Sequence, residues 1–233
     1  MFLTNDNKMM WRRLIWATLI TGVIVFVGVC CLDVYIYMIA TYISNWNLWH
    51  VIGKVFDAKN WLIVTFVVLG GYGVKRLVKT IQSIRNHEIR FNLVDVSRNF
   101  FLKTKTSNAF LMFSSVFCAC LTAWGLKILI ARLRPVFVMS GQIPEFNRFA
   151  WEWHSMPSGH TIVTFAGLVM IGMLAPKFKP LTWTIACVVG LSRICIGVHW
   201  FSDVILGAFL GMVIADFIKC LLLKKTKSAL DNR

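Results

Sequence analysis

Six ionisable residues in the second half of the chain are of the types that act on phosphate. Three are cations, two are histidines and one is a carboxylate: Lys127, Arg134, Arg193, His160, His199 and Asp203. Cations bind phosphate oxygens and stabilise the negative charge that grows on them. A histidine can attack phosphorus or transfer a proton, and a carboxylate can orient it. Together these residues predict a phosphoryl-transfer site that needs no metal ion.

The first motif joins Lys127 to the Arg134-Pro135 pair, seven residues further on. This separation is about two helical turns, so we expect both cations on roughly the same face of a helix that Pro135 ends. There they would form a clamp for phosphate. Arg132 lies off this face, and we expect it to be an interfacial anchor.

The second motif is Pro157-Ser158-Gly159-His160, which precedes an apolar run. Serine is favoured at the start of a helix, and the free amides there bind anions. Gly159 has no side chain and lets a phosphate approach the backbone closely. We therefore expect Ser158 and Gly159 to bind phosphate and His160 to lie beside it. Taken alone, the same residues are more typical of a plain turn with an interfacial histidine.

The third motif runs from Ser192-Arg193 through His199 to Asp203. Arg193 can donate two parallel hydrogen bonds to phosphate oxygens. His199 and Asp203 are four residues apart and so share a helix face. A carboxylate bonded to one ring nitrogen makes the other nitrogen a better nucleophile. Asp203 falls within an apolar run, where an idle charge would be costly, so we expect it to act with His199.

The composition of the chain is that of an integral membrane protein. Of its 233 residues, 58% are hydrophobic, and the mean hydropathy is +0.68. A soluble domain has fewer apolar residues and lacks long uncharged runs. We expect one helical domain over residues 1–233, with the motifs at 127–203. The cations behind the net charge of +15 lie mostly between apolar runs, which favours a topology signal over nucleic-acid binding.

A membrane-spanning helix needs about 20 mostly apolar residues, and six segments approach this length. They are Leu14–Leu32, Asp57–Val74, Ser107–Ile130, His160–Ala175, Leu181–Val198 and Trp200–Leu223. With the N-terminus inside, 17 of the 25 Lys and Arg residues fall on the inner side and seven on the outer side. This asymmetry predicts that both termini are cytoplasmic and that the motifs share the outer face. The expected fold class is an all-α, polytopic bundle of six transmembrane helices, N-in/C-in.

Two connections between the predicted spans are long. Asp33–Val55 carries Tyr and Trp residues and is expected to be an interfacial helix on the outer surface. The basic segment 74–106 either lies on the anionic inner leaflet or is a solvated loop whose charges set the topology. Gly207 and Gly211 allow close helix packing, which we expect within the chain rather than between copies.

Together and in this order, the motifs resemble the signature of the type 2 phosphatidic acid phosphatase superfamily of integral membrane lipid phosphate phosphatases. That signature reads KxxxxxxRP, PSGH and SRxxxxxHxxxD. The chain matches it at every defining position, with Lys-Ile-Leu-Ile-Ala-Arg-Leu-Arg-Pro, Pro-Ser-Gly-His and Ser-Arg-Ile-Cys-Ile-Gly-Val-His-Trp-Phe-Ser-Asp. The six-span pattern extends the likeness over most of the chain, with less specificity.

The resemblance implies a role for each motif residue. His199 would attack phosphorus and form a phosphohistidine, and Asp203 would orient and activate it. His160 would protonate the leaving oxygen and later deprotonate the attacking water. The phosphate would be held by Lys127, Arg134, Ser158, Gly159 and Arg193. Neither a metal nor another cofactor is expected.

The resemblance also implies a substrate class, and the cation asymmetry given above predicts the location. A lipid phosphomonoester or diphosphate would be hydrolysed at the extracytoplasmic face of a bacterial inner membrane. Phosphatidylglycerol phosphate, phosphatidic acid, undecaprenyl pyrophosphate and the phosphates of lipid A all fit. A lipid-to-lipid phosphotransferase would use the same histidine chemistry, and an anion transporter is a remoter alternative. The motifs are compatible with each of these lipids, with water or a second lipid as the phosphoryl acceptor, and with any oligomeric state. No nucleic-acid partner is expected.

Overall fold

The structure, a computed structural model, describes residues 1–4, 6–44, 47–86, 97, 100, 103–104 and 107–231. Its regular structure within these residues is helical, apart from one isolated bridge between Leu3 and Met9. The longer helices are α1 (Trp11–Val27), α2 (Asp33–Ile43), α3 (Asn47–Val55), α4 (Ala58–Arg85), α5 (Asn108–Ile130), α6 (Pro135–Ser140), α7 (Gly159–Leu174), α8 (Lys179–Cys195) and α9 (Phe201–Asp231). The predicted all-α membrane bundle is confirmed.

Local sequence signals explain where several helices begin. Asp57 accepts a hydrogen bond from the Lys59 amide at the start of α4, at 2.9 Å. Ser107 accepts one from the Phe110 amide at the start of α5, at 3.1 Å. Both bonds satisfy amides that have no partner within the helix. Pro135 occupies the first turn of α6, where its missing N–H leaves no hydrogen bond unmade.

Helix α7 is the centre of the bundle. Its residues are buried along most of its length, and it packs against α5, α8 and α9. Gly207 and Gly211 let α9 approach α7 closely, since a Cβ atom at Gly211 would lie 2.5 Å from the carbonyl oxygen of Ile162. This glycine pair therefore serves packing within the chain. Because His160 opens α7, the packing of this helix also fixes the position of the second motif.

Four helical stretches in the described part of the chain are long and apolar enough to cross a membrane. They are Trp11–Tyr42, Asn47–Arg85, Asn108–Ser140 and Phe201–Leu223. Helix α7 has 16 residues and α8 has 17, both short of the roughly 20 that a span needs. All six predicted spans fall largely on helices, but the count of six and the N-in, C-in topology stay predictions.

The structure changes the interpretation of the two long connections. Helix α2 continues from α1 through the π-helical segment Gly28–Leu32, so it extends the first membrane helix instead of starting a separate interfacial one. Helix α3 covers the rest of that connection, and its position at the membrane interface stays a prediction. Helix α4 continues to Arg85, so the first part of the basic segment 74–106 is helical. Most of the remainder of that segment lies outside the described residues.

Candidate active site

The two cations of the first motif meet across a break in the helix. Helix α5 ends at Ile130, and Ala131 adopts a left-handed backbone with a φ of 46°. The prediction that Lys127 and Arg134 share one helix face is therefore wrong, because residues 131–134 are not helical. Tertiary folding brings them together instead. Lys127 Nζ donates to the His154 carbonyl oxygen at 2.5 Å, and Arg134 Nη2 donates to the same oxygen at 3.1 Å.

The guanidinium of Arg134 is buried and held on several sides. Its Nε donates to the Trp151 carbonyl and its Nη1 to the Val198 carbonyl, each at 2.9 Å. The Trp151 ring centroid lies 4.2 Å from the cation. Nη1 also lies 3.4 Å from Nε2 of His199. Neutral carbonyl groups hold this cation without neutralising it, so Arg134 is preorganised to attract an anion beside His199.

The second motif places Ser158 and Gly159 at the start of α7. The Ser158 hydroxyl caps no amide, contrary to the role expected of it, and instead accepts a hydrogen bond from Thr161 Oγ1 at 2.9 Å. A Cβ atom at Gly159 would lie 3.4 Å from Lys127 Cε. The Lys127 side chain therefore reaches the start of α7, where the second motif lies.

His160 faces a carboxylate that the motifs do not contain. Its Nε2 lies 3.2 Å from Oδ2 of Asp57, the residue that caps α4. The His160 side chain is 25% exposed, whereas that of His199 is 3% exposed. A carboxylate at this distance stabilises the protonated form of a histidine. The contact therefore places a carboxylate beside a ring that could exchange protons with a bound molecule.

Arg193 is buried near the end of α8 and has an unused donor. Its Nε lies 3.3 Å from the Ser192 hydroxyl oxygen. Its Nη2 is buried and has no hydrogen-bond partner among the described residues. Gly53 of α3 packs directly on this guanidinium, so that a Cβ atom there would overlap it. A buried donor without a partner is costly, and a bound phosphate oxygen would satisfy it.

His199 lies in the loop between α8 and α9, and its two ring nitrogens face different partners. Nε2 faces Arg134, as described above, and Nδ1 lies 3.6 Å from Oδ2 of Asp203. That distance is too long for a hydrogen bond, and Nδ1 has no other partner in the described structure. The Asp203 carboxylate is fully buried. Its Oδ2 accepts hydrogen bonds from the Ser155 hydroxyl at 2.5 Å and the Trp200 amide at 2.9 Å.

Burial lowers the pKa of His199 well below its usual range, and the charges of nearby basic groups lower it further. These groups are, in decreasing order of effect, Arg134, Lys127, His160 and Arg193. Each of them disfavours a second positive charge on the ring. His199 is therefore neutral at pH 7, the form in which a ring nitrogen can act as a nucleophile.

The structure thus brings the three motifs together at one end of the bundle. The first motif touches the second where Lys127 meets Gly159, and it touches the third where Arg134 meets His199. The second motif touches the third where the Ser158 amide donates to the Asp203 carbonyl oxygen at 3.1 Å. All eight predicted site residues belong to this cluster. It combines three cations with a neutral histidine and a second, partly exposed histidine.

Several contacts of the site were not expected from the sequence. Arg132 is not an interfacial anchor, because its Nη1 and Nη2 donate to Asp203 and Asp33, each at 2.7 Å. The position of Asp33 could have indicated its pairing with a cation, since a carboxylate at the end of an apolar run is energetically unfavourable unless it is paired. Asp57 was recognised only as the start of a helix. Ser155 carries no sequence signal that separates it from any loop serine.

The fold and this cluster define an integral membrane helix bundle with two histidines and three cations gathered at one end. The sequence model of the PAP2 superfamily matches residues 107–227, just over half of the chain, and the chain belongs to that superfamily. The family that the motifs resemble is thereby confirmed.

Individual relatives match over shorter regions. A lipid A 1-phosphatase from Porphyromonas gingivalis is 30% identical over 105 residues, which cover 40% of this chain and 23% of that protein. An undecaprenyl-diphosphatase from Sulfolobus acidocaldarius is 36% identical over 87 residues, which cover 36% of this chain and 41% of that protein. The chain therefore spans less than half the length of these relatives.

A solved structure shares the fold over nearly the whole chain. It is that of a transmembrane PAP2 type phosphatidylglycerolphosphate phosphatase from Bacillus subtilis. The TM-score is 0.59 at 22% identity, and the match covers 91% of this chain and 96% of that chain. The likeness is one of fold.

Proposed function

We propose that this protein is a metal-independent lipid phosphate phosphatase that works through a phosphohistidine on His199. One observation carries the proposal. The neutral ring of His199 lies with Nδ1 towards the buried Asp203 carboxylate and Nε2 towards Arg134, which like Arg193 is a buried cation. This arrangement keeps a proton on Nδ1 and a free electron pair on Nε2, directed at the place where a phosphate would bind.

In the first step, Nε2 of His199 attacks phosphorus and the bond from phosphorus to the leaving oxygen breaks. His160 gives a proton to that oxygen, which leaves as a lipid alcohol or, from a diphosphate, as a lipid phosphate. The Nδ1 proton stays between His199 and Asp203, where a small shift of the ring closes the 3.6 Å gap. Lys127, Arg134 and Arg193 stabilise the charge on the other phosphate oxygens.

In the second step, water hydrolyses the phosphohistidine. His160 is now neutral and takes a proton from the water molecule while the water oxygen attacks phosphorus. The phosphorus–nitrogen bond breaks, His199 regains its electron pair, and inorganic phosphate leaves. His160 ends the cycle protonated, as it began, and Asp57 at 3.2 Å stabilises that form.

The proposed substrate class follows from the position of the site and from the relatives. The site lies where α5, α7, α8 and α9 end or begin, so a lipid headgroup at the membrane surface can reach it while the tail stays among the helices. The names of the relatives point to lipid A, undecaprenyl diphosphate and phosphatidylglycerol phosphate as substrates to test. The excess of cations on the opposite side favours an extracytoplasmic site in a bacterial inner membrane.

The test is phosphate release by purified protein in detergent, with EDTA present, from these lipids and from phosphatidic acid. His199→Ala should abolish release, Asp203→Asn should leave a small residual rate, and Lys127→Ala should raise KM and lower kcat. His50→Ala is the matched control, because His50 is exposed on α3 and should be dispensable. Gel filtration of each variant shows whether it remains folded.

Three outcomes would contradict parts of this proposal. Full activity in His199→Ala would exclude the phosphohistidine. Loss of release in EDTA, with recovery on adding a divalent cation, would exclude metal independence. Disappearance of a lipid phosphate with formation of a new phospholipid, and without inorganic phosphate, would show transfer to a lipid acceptor.

A further inference from the structure

Asp33 is a buried carboxylate outside the three motifs. It lies in the first turn of α2 and is 3% exposed. Its Oδ1 accepts a hydrogen bond from the Ser202 amide at 2.9 Å, and its Oδ2 accepts one from the Ser202 hydroxyl at 2.5 Å. A charge buried at this depth requires a partner of opposite sign. That partner is Arg132, whose Nη2 lies 2.7 Å from Asp33 Oδ2.

Arg132 joins Asp33 to the site. While Nη2 donates to Asp33, Nη1 donates to Asp203 Oδ1 at 2.7 Å and to the Ser202 hydroxyl at 2.7 Å. The guanidinium also lies 5.4 Å from the Trp200 ring centroid. One planar side chain therefore bridges two buried carboxylates, a task that suits the rigid fork of arginine. The bridge connects α2, the loop after α5 and the first turn of α9.

This bridge determines what Asp203 can offer to His199. Oδ1 of Asp203 is bound to Arg132, so that Oδ2 is the oxygen that faces the His199 ring. Ser155 and the Trp200 amide hold that second oxygen from other directions. The plane of the carboxylate is thus fixed before any substrate binds.

We propose that Asp33 and Arg132 are positioning residues of this site, which hold the Asp203 carboxylate so that Oδ2 remains directed at His199. Asp33 neutralises and orients the far end of the Arg132 guanidinium, and Arg132 neutralises and orients Asp203. Neither residue touches the phosphate. The inference rests on the proposed function, since it assigns Arg132 an effect that passes through Asp203 alone.

The test is a double-mutant cycle on kcat, measured with the best lipid substrate of the panel. Arg132→Met should lower kcat by about 100-fold, as expected for a misplaced catalytic group, and should leave KM nearly unchanged because the phosphate-binding cations remain. Asp33→Asn should give a smaller loss in kcat. In the Asp203→Asn background, Arg132→Met should lower kcat no further, because the residue through which it acts is already disabled.

Matched controls separate this role from a general effect of removing a charge. Arg12→Met and Asp6→Asn change exposed residues of the same types and should keep the wild-type kcat. Gel filtration and the thermal unfolding midpoint show whether each variant folds. If Arg132→Met does not fold, Arg132→Lys takes its place in the cycle, because lysine keeps the charge and lacks the planar fork.

The outcomes are distinct. An equal fall in kcat in the wild-type and Asp203→Asn backgrounds would overturn the inference, because Arg132 would then act without Asp203. Wild-type kcat in folded Arg132→Lys would overturn it as well. Wild-type kcat in the Asp203→Asn single variant would instead contradict the proposed function, because Asp203 would then have no role in activating His199. Non-additive losses, with KM and folding retained, would establish the positioning role.

Discussion

At the residue scale, the two histidines of the site occupy different environments. His199 is buried between a cation and a carboxylate that is itself neutralised by Arg132. His160 is partly exposed and faces Asp57 with no intervening cation at the 3.2 Å contact. A buried ring beside a cation suits a nucleophile, and a partly exposed ring beside a carboxylate suits a group that exchanges protons with the leaving group and with water. This contrast yields two tests.

The first test concerns the leaving group. His160→Gln should release p-nitrophenol from p-nitrophenyl phosphate in a rapid burst, followed by slow turnover. The p-nitrophenolate ion leaves without a proton, so the first step no longer needs His160, whereas hydrolysis of the phosphohistidine still does. Stopped-flow absorbance measures the burst. A uniformly slow reaction without a burst would contradict the assignment of His160 to leaving-group protonation.

The second test concerns pH. The charge of Arg134 is the strongest single charge that lowers the pKa of His199. Arg134→Gln should therefore raise that pKa, so that His199 becomes protonated and inactive at a higher pH than in the wild type. The acid limb of kcat/KM against pH should move upward, and KM should rise through lost phosphate binding. Arg148→Gln, at an exposed loop position, should leave the acid limb unchanged.

At the element scale, the site depends on the close packing of α9 on α7. Helix α7 carries His160 and α9 carries Asp203, and Gly207 and Gly211 lie where the two helices touch. Without side chains at these positions, the backbones come close enough for the first turns of both helices to share one site. The sequence predicted close packing of this helix within the chain, because small residues four apart leave a groove along a helix, and the structure identified α7 as the partner.

Gly211→Ala should destabilise the bundle. The added Cβ atom would lie 2.5 Å from Ile162 O and 2.7 Å from Phe165 Cβ, and overpacking of this kind costs about 1–3 kcal/mol. Gly70→Ala is the matched control, because nothing lies within 4 Å of a Cβ atom there. Denaturation by SDS followed by circular dichroism measures both. Equal stability of the two variants would show that α7 and α9 separate easily.

At the scale of the whole molecule, all the candidate site residues gather at one end of the bundle. Helices α5 and α8 end there, while α7 and α9 begin there. Consecutive helices of the bundle run in opposite directions, so every second connection between them lies at the same end. The proposed topology places this end outside the cell.

Cysteine labelling tests that topology. In a background with the seven native cysteines replaced, Gln142→Cys should react with a membrane-impermeant maleimide in intact cells. Lys177→Cys should react only after permeabilisation. Both positions are exposed, Gln142 in a loop and Lys177 in a short 3-10 helix, in connections at opposite ends of the bundle. The reverse pattern would place the site in the cytoplasm and remove extracytoplasmic lipid phosphates from the proposal.

The sequence by itself determined the membrane class, the superfamily and the identity of the candidate site residues. In a bilayer, the backbone N–H and C=O groups of a long apolar run find their hydrogen-bond partners within a helix, so such a run predicts a membrane helix. The motif residues are of the types that phosphate chemistry requires, so they can be recognised from the sequence. Only the tertiary structure decided that Lys127 and Arg134 meet at one carbonyl group and that Arg132 bridges two carboxylates. Those contacts join Asp33 to Arg132 and Arg132 to Asp203 across long separations in sequence. Their geometry depends on how the helices pack, which a short stretch of sequence does not predict.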